Sequence, residues 1–203
     1  HISTFNSNVE ILFCDINLID KVDYNFKKIV EIANNQIDIL ICNAAISNSN
    51  SYLNEISFES FKKVINNNFI SHVYLIKKIL PIMLNRNNGH IVNISSGTGI
   101  FGIQKLSAYS CSKSALQSLF ESLHFEYKKN NIYFKNFFPG MIDTNFEKKN
   151  NILNNLDLYK KKDPFKAAQY ISKNIMSKKL NNFYQFKTIF AFLLKIYPFS
   201  LKD

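Results

Sequence analysis

A phenol and an amine stand four residues apart at the start of a helical stretch: Tyr109 and Lys113 in SAYSCSKSALQSLF. Four positions is just over one helical turn, so both side chains leave the helix on the same side. A lysine ammonium close to a phenol favours the phenolate and draws its pKa, ordinarily about 10, toward neutrality. A phenol tuned in that way can exchange a proton with a substrate oxygen. The pair also has a plainer use, in which the two stems cover apolar surface and the polar tips reach water. Which use holds depends on what the rest of the chain brings to the same place.

The positioning elements alternate along the sequence. VEILFC (Val9 to Cys14), IDILIC, GHIVNIS and IYFKNFF read as strands, and the continuous apolar runs suit parallel strands buried on both faces. Helical periodicity runs through DKVDYNFKKIVEIANN, through SFESFKKVINNNFISHVYLIKKILPIML with Ser57 as N-cap, through the Tyr109 helix, and through KKDPFKAAQYISKNIMS with Asp163 as cap. Strands alternating with helices predict βαβ units: one α/β domain, doubly wound around a parallel sheet. In such a sheet ligands bind beyond the carboxyl ends of the strands. Those ends carry Asp15, then Cys42 to Ala45, then Ser95 to Gly99, then Pro139 to Thr144. Small and polar residues thus gather at one edge, within reach of Tyr109 and Lys113.

Composition bounds the alternatives. The 203 residues are 46% hydrophobic, enough for one substantial core, and carry a net charge of +10. The lysines are scattered among Asn and Ile across the whole chain, with no basic motif, so the charge does not indicate nucleic acid. Three cysteines, Cys14, Cys42 and Cys111, lack metal-ligand spacing and fit free thiols in a reducing, cytoplasmic setting. No metal site is expected. His72, His90 and His124 show no ligand spacing, Asp38 and Asp143 form no visible pair, and Asn93 is expected to link strands through its amide. The longest apolar stretch, FKTIFAFLLKIYPF, is too short to span a bilayer.

With these motifs in order, the chain resembles the short-chain dehydrogenases/reductases. CNAA stands where the family has N-N-A-G. HIVNISS followed by YSCSK matches the family's strand, catalytic serine and Y-x-x-x-K, and a separation of 109 − 96 = 13 selects Ser96 over Ser95. NNNFISHVYLIKKILPIM matches the helix carrying a catalytic Asn, here Asn68, PGMIDT matches P-G-x-x-x-T, and FCDINLID matches the segment whose Asp binds adenine. The resemblance implies a Rossmann-like fold and an NADP- or NAD-dependent oxidoreductase interconverting a ketone or aldehyde and an alcohol. It implies catalytic roles for Asn68, Ser96, Tyr109 and Lys113. Cofactor contacts would fall to Asp15, Ile16, Asn43, Ala44, Ala45, Tyr109, Lys113, Pro139, Gly140, Ile142 and Thr144. Ser96 would hold the substrate oxygen against Tyr109, Lys113 would also bind the nicotinamide ribose, and Asn68 would hold a water beside Lys113.

The family's glycine-rich turn T-G-x-x-x-G-x-G, with its first strands and first helix, is not in these 203 residues. A family sheet ordered 3-2-1-4-5-6-7 would then leave the strand at Val9 two strands away from that at Ile37. The expectation is an N-terminally incomplete domain with an open sheet edge, low stability and weak cofactor binding by itself. A substrate lid is expected at about 145–162, with Phe146, Leu153, Leu156 and Leu158 as contacts. An apolar tail at about 183–203 is read first as a homodimer or homotetramer contact, then as a pocket cover, then as a membrane contact. Two other functions fit the residues: an inactive truncated relative acting as a binding or regulatory subunit, and a basic module for membrane surfaces.

Overall fold

The computed structural model describes residues 9–47, 50–146 and 161–184. Four parallel strands form one sheet in sequence order: β1 (Ile39–Cys42), β2 (Gly89–Ile94), β3 (Ile132–Phe138) and β4 (Asn181–Phe183). Helix α1 (Ile19–Ile32) precedes β1. Helices α2 (Phe58–Ile65) and α3 (Ser71–Arg86), joined by a π-helical turn over Asn66–Ile70, connect β1 to β2. Helix α4 (Ser107–Tyr127) connects β2 to β3, and α5 (Pro164–Asn174) precedes β4. These are the βαβ units that the alternating pattern predicts, and both proposed caps are formed. Ser57 Oγ accepts from Ser60 N–H at 3.1 Å, and Asp163 Oδ1 accepts from Phe165 N–H at 2.7 Å.

The core lies between the sheet and the helices on one of its faces. Ile91 and Phe134 of the sheet meet Ile76, Ile79 and Met83 of α3 and Leu116 and Phe120 of α4, with Phe26 and Val30 of α1 closing one side. Every residue of β3 is buried, whereas β1 is not: Ile39 and Ile41 are 36% and 47% exposed. Among the described residues strand β1 pairs with β2 alone. Across the middle of the sheet Asn93 Nδ2 donates to Asn136 Oδ1 at 2.9 Å, the strand-linking role expected of Asn93.

Two sequence assignments need correction. Val9 to Cys14 is not a strand. It has the alternation of one, with Leu12 and Cys14 turned partly inward and Phe13 94% exposed, but no backbone ladder forms along it. A strand is defined by its neighbour, and none of the four strands lies beside this segment. The C-terminal tail also does not begin at Phe183. That residue ends β4 and stacks on Phe138, with ring centroids 4.7 Å apart and planes 12° apart. The rest of the expected tail, from 185 on, and most of the expected lid, 147–160 with Leu153, Leu156 and Leu158, lie outside the described residues.

Candidate active site

Tyr109 and Lys113 occupy the first two turns of α4, and both are buried. The helix is anchored at this point by the loop after β2. Ser114 Oγ donates to Gly99 O at 2.7 Å, and Gly99 lies so close to α4 that a Cβ there would come within 3.1 Å of the Lys113 carbonyl carbon. A side chain there would crowd the α4 backbone, so glycine lets the loop that carries Ser96 lie close to the helix. Ser96 is hydrogen-bonded to the Tyr109 phenol, and its Oγ also accepts from Thr98 N–H at 3.3 Å. Ser95, one residue earlier, is buried with a hydroxyl that has no protein partner among the described residues. The 13-residue spacing thus selects the serine that meets the phenol.

Lys113 runs beneath the Tyr109 ring, its Nζ 5.8 Å from the ring centroid, and donates to Ile94 O at the end of β2 at 2.9 Å. Burial lowers its pKa to about 8, with the Cys42 thiol opposing. Burial pushes the Tyr109 phenol up to about 12, with the Ser96 hydrogen bond opposing. The lowering expected from Lys113 is therefore not seen at Tyr109, because burial favours the neutral form of each group. Cys42, at the end of β1, is likewise raised to about 12 by burial, with Lys113 opposing, and is an inert thiol. Phe146, from the start of the expected lid, sits against Tyr109 with ring centroids 5.6 Å apart.

Of the Asn66–Asn67–Asn68 run that the sequence alone leaves ambiguous, Asn67 and Asn68 are buried, Asn68 completely, while Asn66 is exposed. The π turn supplies the reason: Ser71 N–H reaches back five residues to Asn66 O, and the extra residue rotates Asn68 inward. Its amide is saturated. Oδ1 accepts from Ile46 N–H at 2.8 Å and from Asn67 Nδ2 at 3.0 Å, while Nδ2 donates to Ile46 O at 2.7 Å and to Ser112 Oγ at 3.0 Å. An amide has two donor hydrogens and two acceptor lone pairs, so no position remains for the expected water. Asn68 instead ties the loop after β1 to the helix that carries Tyr109.

Two further groups of candidates follow strands at the same carboxyl edge, and a third precedes α1. After β1, Asn43 and Ala44 are exposed and Ala45 is partly so. The Ala44 carbonyl is held at 2.8 Å by His72 Nε2, one turn along from Asn68. Burial lowers the His72 pKa, and the nearby Lys113 charge acts in the same direction. After β3, Pro139, Gly140 and Ile142 are partly exposed and Thr144 is exposed, with Gly140 at φ 73°, a conformation that favours glycine. A single parallel bridge joins Ile142 to Lys162 and closes this loop. Asp15 and Ile16 precede α1. Asp15 Oδ1 accepts from Asn17 N–H at 3.0 Å and from Asn17 Nδ2 at 2.9 Å, which holds its pKa below the ordinary value. The sequence reading missed Asn17, Asn67, His72 and Ser112, whose contacts are made across the fold and leave no local motif. Among the described residues there is no cluster of His, Cys, Asp and Glu able to hold a metal, and no helix long and apolar enough to cross a membrane.

Comparison with known proteins agrees with this fold. The chain is 38% identical over 109 residues to an uncharacterized oxidoreductase of Staphylococcus saprophyticus, a match covering 54% of this chain and 46% of that protein. It is 37% identical over 114 residues to human retinol dehydrogenase 8, covering 56% of this chain and 36% of the relative. The matched regions thus span less than half of those relatives' lengths. Its fold is that of a short-chain dehydrogenase from Streptomyces avermitilis, with a TM-score of 0.84 at 21% identity over 97% of this chain and 78% of that one. A short-chain dehydrogenase from Sphingobium yanoikuyae, solved in complex with NADPH, aligns with a TM-score of 0.77 at 19% identity over 91% of this chain and 72% of that one. The family model described as short chain dehydrogenase matches residues 1–154, and the chain belongs to that family.

Proposed function

We propose that the protein carrying this sequence is an NAD(P)-dependent oxidoreductase that interconverts a carbonyl and an alcohol, with Tyr109 as the proton donor and acceptor. The observation that carries the reading is the buried Tyr109 phenol with Ser96 hydrogen-bonded to it and the buried Lys113 beneath its ring. The oxidoreductases and the NADPH-bound structure among its relatives support the same class.

The residues present fit a nicotinamide cofactor at the carboxyl edge. Asn43 and Ala44 offer exposed backbone, Gly140 brings its chain close without a side chain, and the hydroxyls of Ser95 and Thr98 are buried without a protein partner among the described residues. Asp15 and Ile16 would take the adenosine end. Asn43, Ala44 and Ala45 would line the path between the ends, and Lys113 with Tyr109 would hold the ribose. Pro139, Gly140, Ile142 and Thr144 would bound the nicotinamide. When bound, that group supplies or accepts the hydride.

The chain's own residues handle the proton. Burial keeps the Tyr109 phenol protonated at neutral pH, the form that donates to a carbonyl oxygen during reduction. Ser96 would share that oxygen with Tyr109 and fix its distance from the phenol. Lys113 is charged below about pH 8 and compensates the phenolate left after transfer. Phe146 covers the ring and keeps water from replacing the substrate oxygen.

Tyr109→Phe keeps the ring and removes the proton. Turnover of a panel of ketones and aldehydes with NADPH or NADH should fall at least about a hundredfold, far more than cofactor affinity, from which only the phenol's share of the ribose contact is lost while Lys113 keeps its own. Near-parental turnover in the variant defeats the assignment.

A further inference from the structure

A line of side-chain amides leads from Asp15 to the catalytic helix. Asn17 Nδ2 donates to Asp15 Oδ1 at 2.9 Å and to Asn67 Oδ1 at 2.9 Å. Asn67 Nδ2 donates to Asn68 Oδ1 at 3.0 Å, Asn68 Nδ2 donates to Ser112 Oγ at 3.0 Å, and Ser112 Oγ donates to Tyr109 O at 2.7 Å. The Ser71 hydroxyl meets Asn17 Oδ1 at 3.1 Å. Both ends of the line are acceptors only, a carboxylate at Asp15 and a main-chain carbonyl at Tyr109. Asn17 must therefore turn its NH₂ toward Asp15 and Asn67, and each following group must accept from the one before and donate to the next. Reversing any amide in the line sets oxygen against oxygen or nitrogen against nitrogen. Asn67, Asn68 and Ser112 are buried, where an unpaired polar group is costly, so the single arrangement is strongly held.

We propose that Asn17 and Asn67 are positioning residues that couple the Asp15 loop to the catalytic helix. Asn67 is the joint. It lies next to Asn68 in the π turn, yet its own amide reaches back 50 residues to Asn17. Through Asn68 the line also fixes both polar groups of Ile46, and so the Asn43–Ala45 loop. A displacement at Asp15 is thereby felt at the loop after β1 and at the backbone of Tyr109. The assignment of the adenosine end to Asp15 rests on the function proposed above, but the line of bonds does not.

The test uses the full natural polypeptide and three variants: Asn67→Asp, Asn17→Ala and the double variant. Asn67→Asp keeps shape and volume and still accepts from Asn17, but it presents oxygen to Asn68 Oδ1 and cuts the line at one bond. Hydrogen exchange of the Ile46 amide, read site by site, should be about tenfold faster in each single variant and no faster in the double variant. With NADPH or NADH and a reducible carbonyl, both single variants should lower kcat several-fold and raise the cofactor KM, with the carbonyl KM unchanged. Asn66→Ala, one residue away and exposed, should change none of these. Parental Ile46 exchange in Asn67→Asp, or additive effects in the double variant, overturns the coupling. If the parent neither binds nor turns over either cofactor, the proposed function falls, and the exchange measurement still decides the coupling.

Discussion

Lys113 and Lys135 are two answers to the same physical problem. Each is a lysine in the interior, 3% and 0% exposed, and burial lowers each to about pKa 8. Lys113 comes from a helix at the carboxyl edge and lies under a phenol that holds a serine. Lys135 comes from β3, donates to His90 Nδ1 at 2.7 Å, and donates also to Ile175 O just beyond α5. Its imidazole partner stacks on Tyr133, and burial with the Lys135 charge beside it lowers that imidazole to about pKa 4. Among the described residues the partners of Lys135 are this imidazole, neutral at pH 7, and a main-chain carbonyl, with no phenol or serine hydroxyl hydrogen-bonded to it. A buried, perturbed amine therefore does not by itself mark a reactive site; the groups around it and its place at the carboxyl edge do.

The sharpest way to break this comparison is to remove each amine while keeping its length. Lys113→Met should lower turnover by about a hundredfold or more, the scale of a lost charge beside an acid–base group. It should also weaken cofactor binding, because the proposed ribose contact goes with the charge. Lys135→Met should leave turnover within about twofold. Steady-state kinetics with NADPH and NADH on both variants decides the matter, and equal losses would place the two lysines in one functional class.

Folding stability should separate them far less. Each substitution removes a buried charge and orphans a backbone acceptor, Ile94 O in one case and Ile175 O in the other, and Lys135→Met also frees His90 Nδ1. Relief of the charge and loss of the hydrogen bond are both of order 1–3 kcal/mol and opposite in sign. Urea unfolding should therefore move by no more than about 2 kcal/mol for either variant. A Lys135→Met protein that unfolds several kcal/mol more easily would show that its tie to the end of α5 outweighs the burial of its charge.

The comparison also marks how far the sequence is legible. Tyr109, Lys113 and Ser96 can be read because their relation is local: one helical turn, and one strand-to-helix spacing. The α/β architecture follows from apolar runs alternating with amphipathic ones. Lys135 is silent, since a lysine within IYFKNFF gives no sign that α5 will cover it. Strand β4 is equally silent: Asn181–Phe183 is short and polar, and is a strand because Asn136, Phe137 and Phe138 pair with it. Val9 to Cys14 fails in the opposite way, with strand-like residues and no neighbouring strand. The surroundings of Asn68 are hidden for the same reason, because its bonds to Ile46 and Ser112 are made across the fold.

The smallest expected effect is the one that should make the two lysines alike. A base whose folded pKa lies below its unfolded value binds fewer protons when folded. Its burden on stability is full below the folded pKa and fades as pH rises toward the unfolded one. For Lys113 and Lys135 that window opens near pH 8 and would close near 10.5. Cys42 acts with the opposite sign above pH 9, because its thiol is raised to about 12, and Tyr109 does the same above pH 10. Between pH 8 and 9 the lysines therefore dominate these four groups, and each should add about 1 kcal/mol of stability across that interval. Urea midpoints at pH 8.0, 8.5 and 9.0 should rise in the parent, rise about half as much in Lys113→Met and in Lys135→Met, and stay flat in the double variant. A parent whose stability is flat or falls across this interval would mean that at least one ammonium is better solvated than its burial implies, and the single variants would identify which.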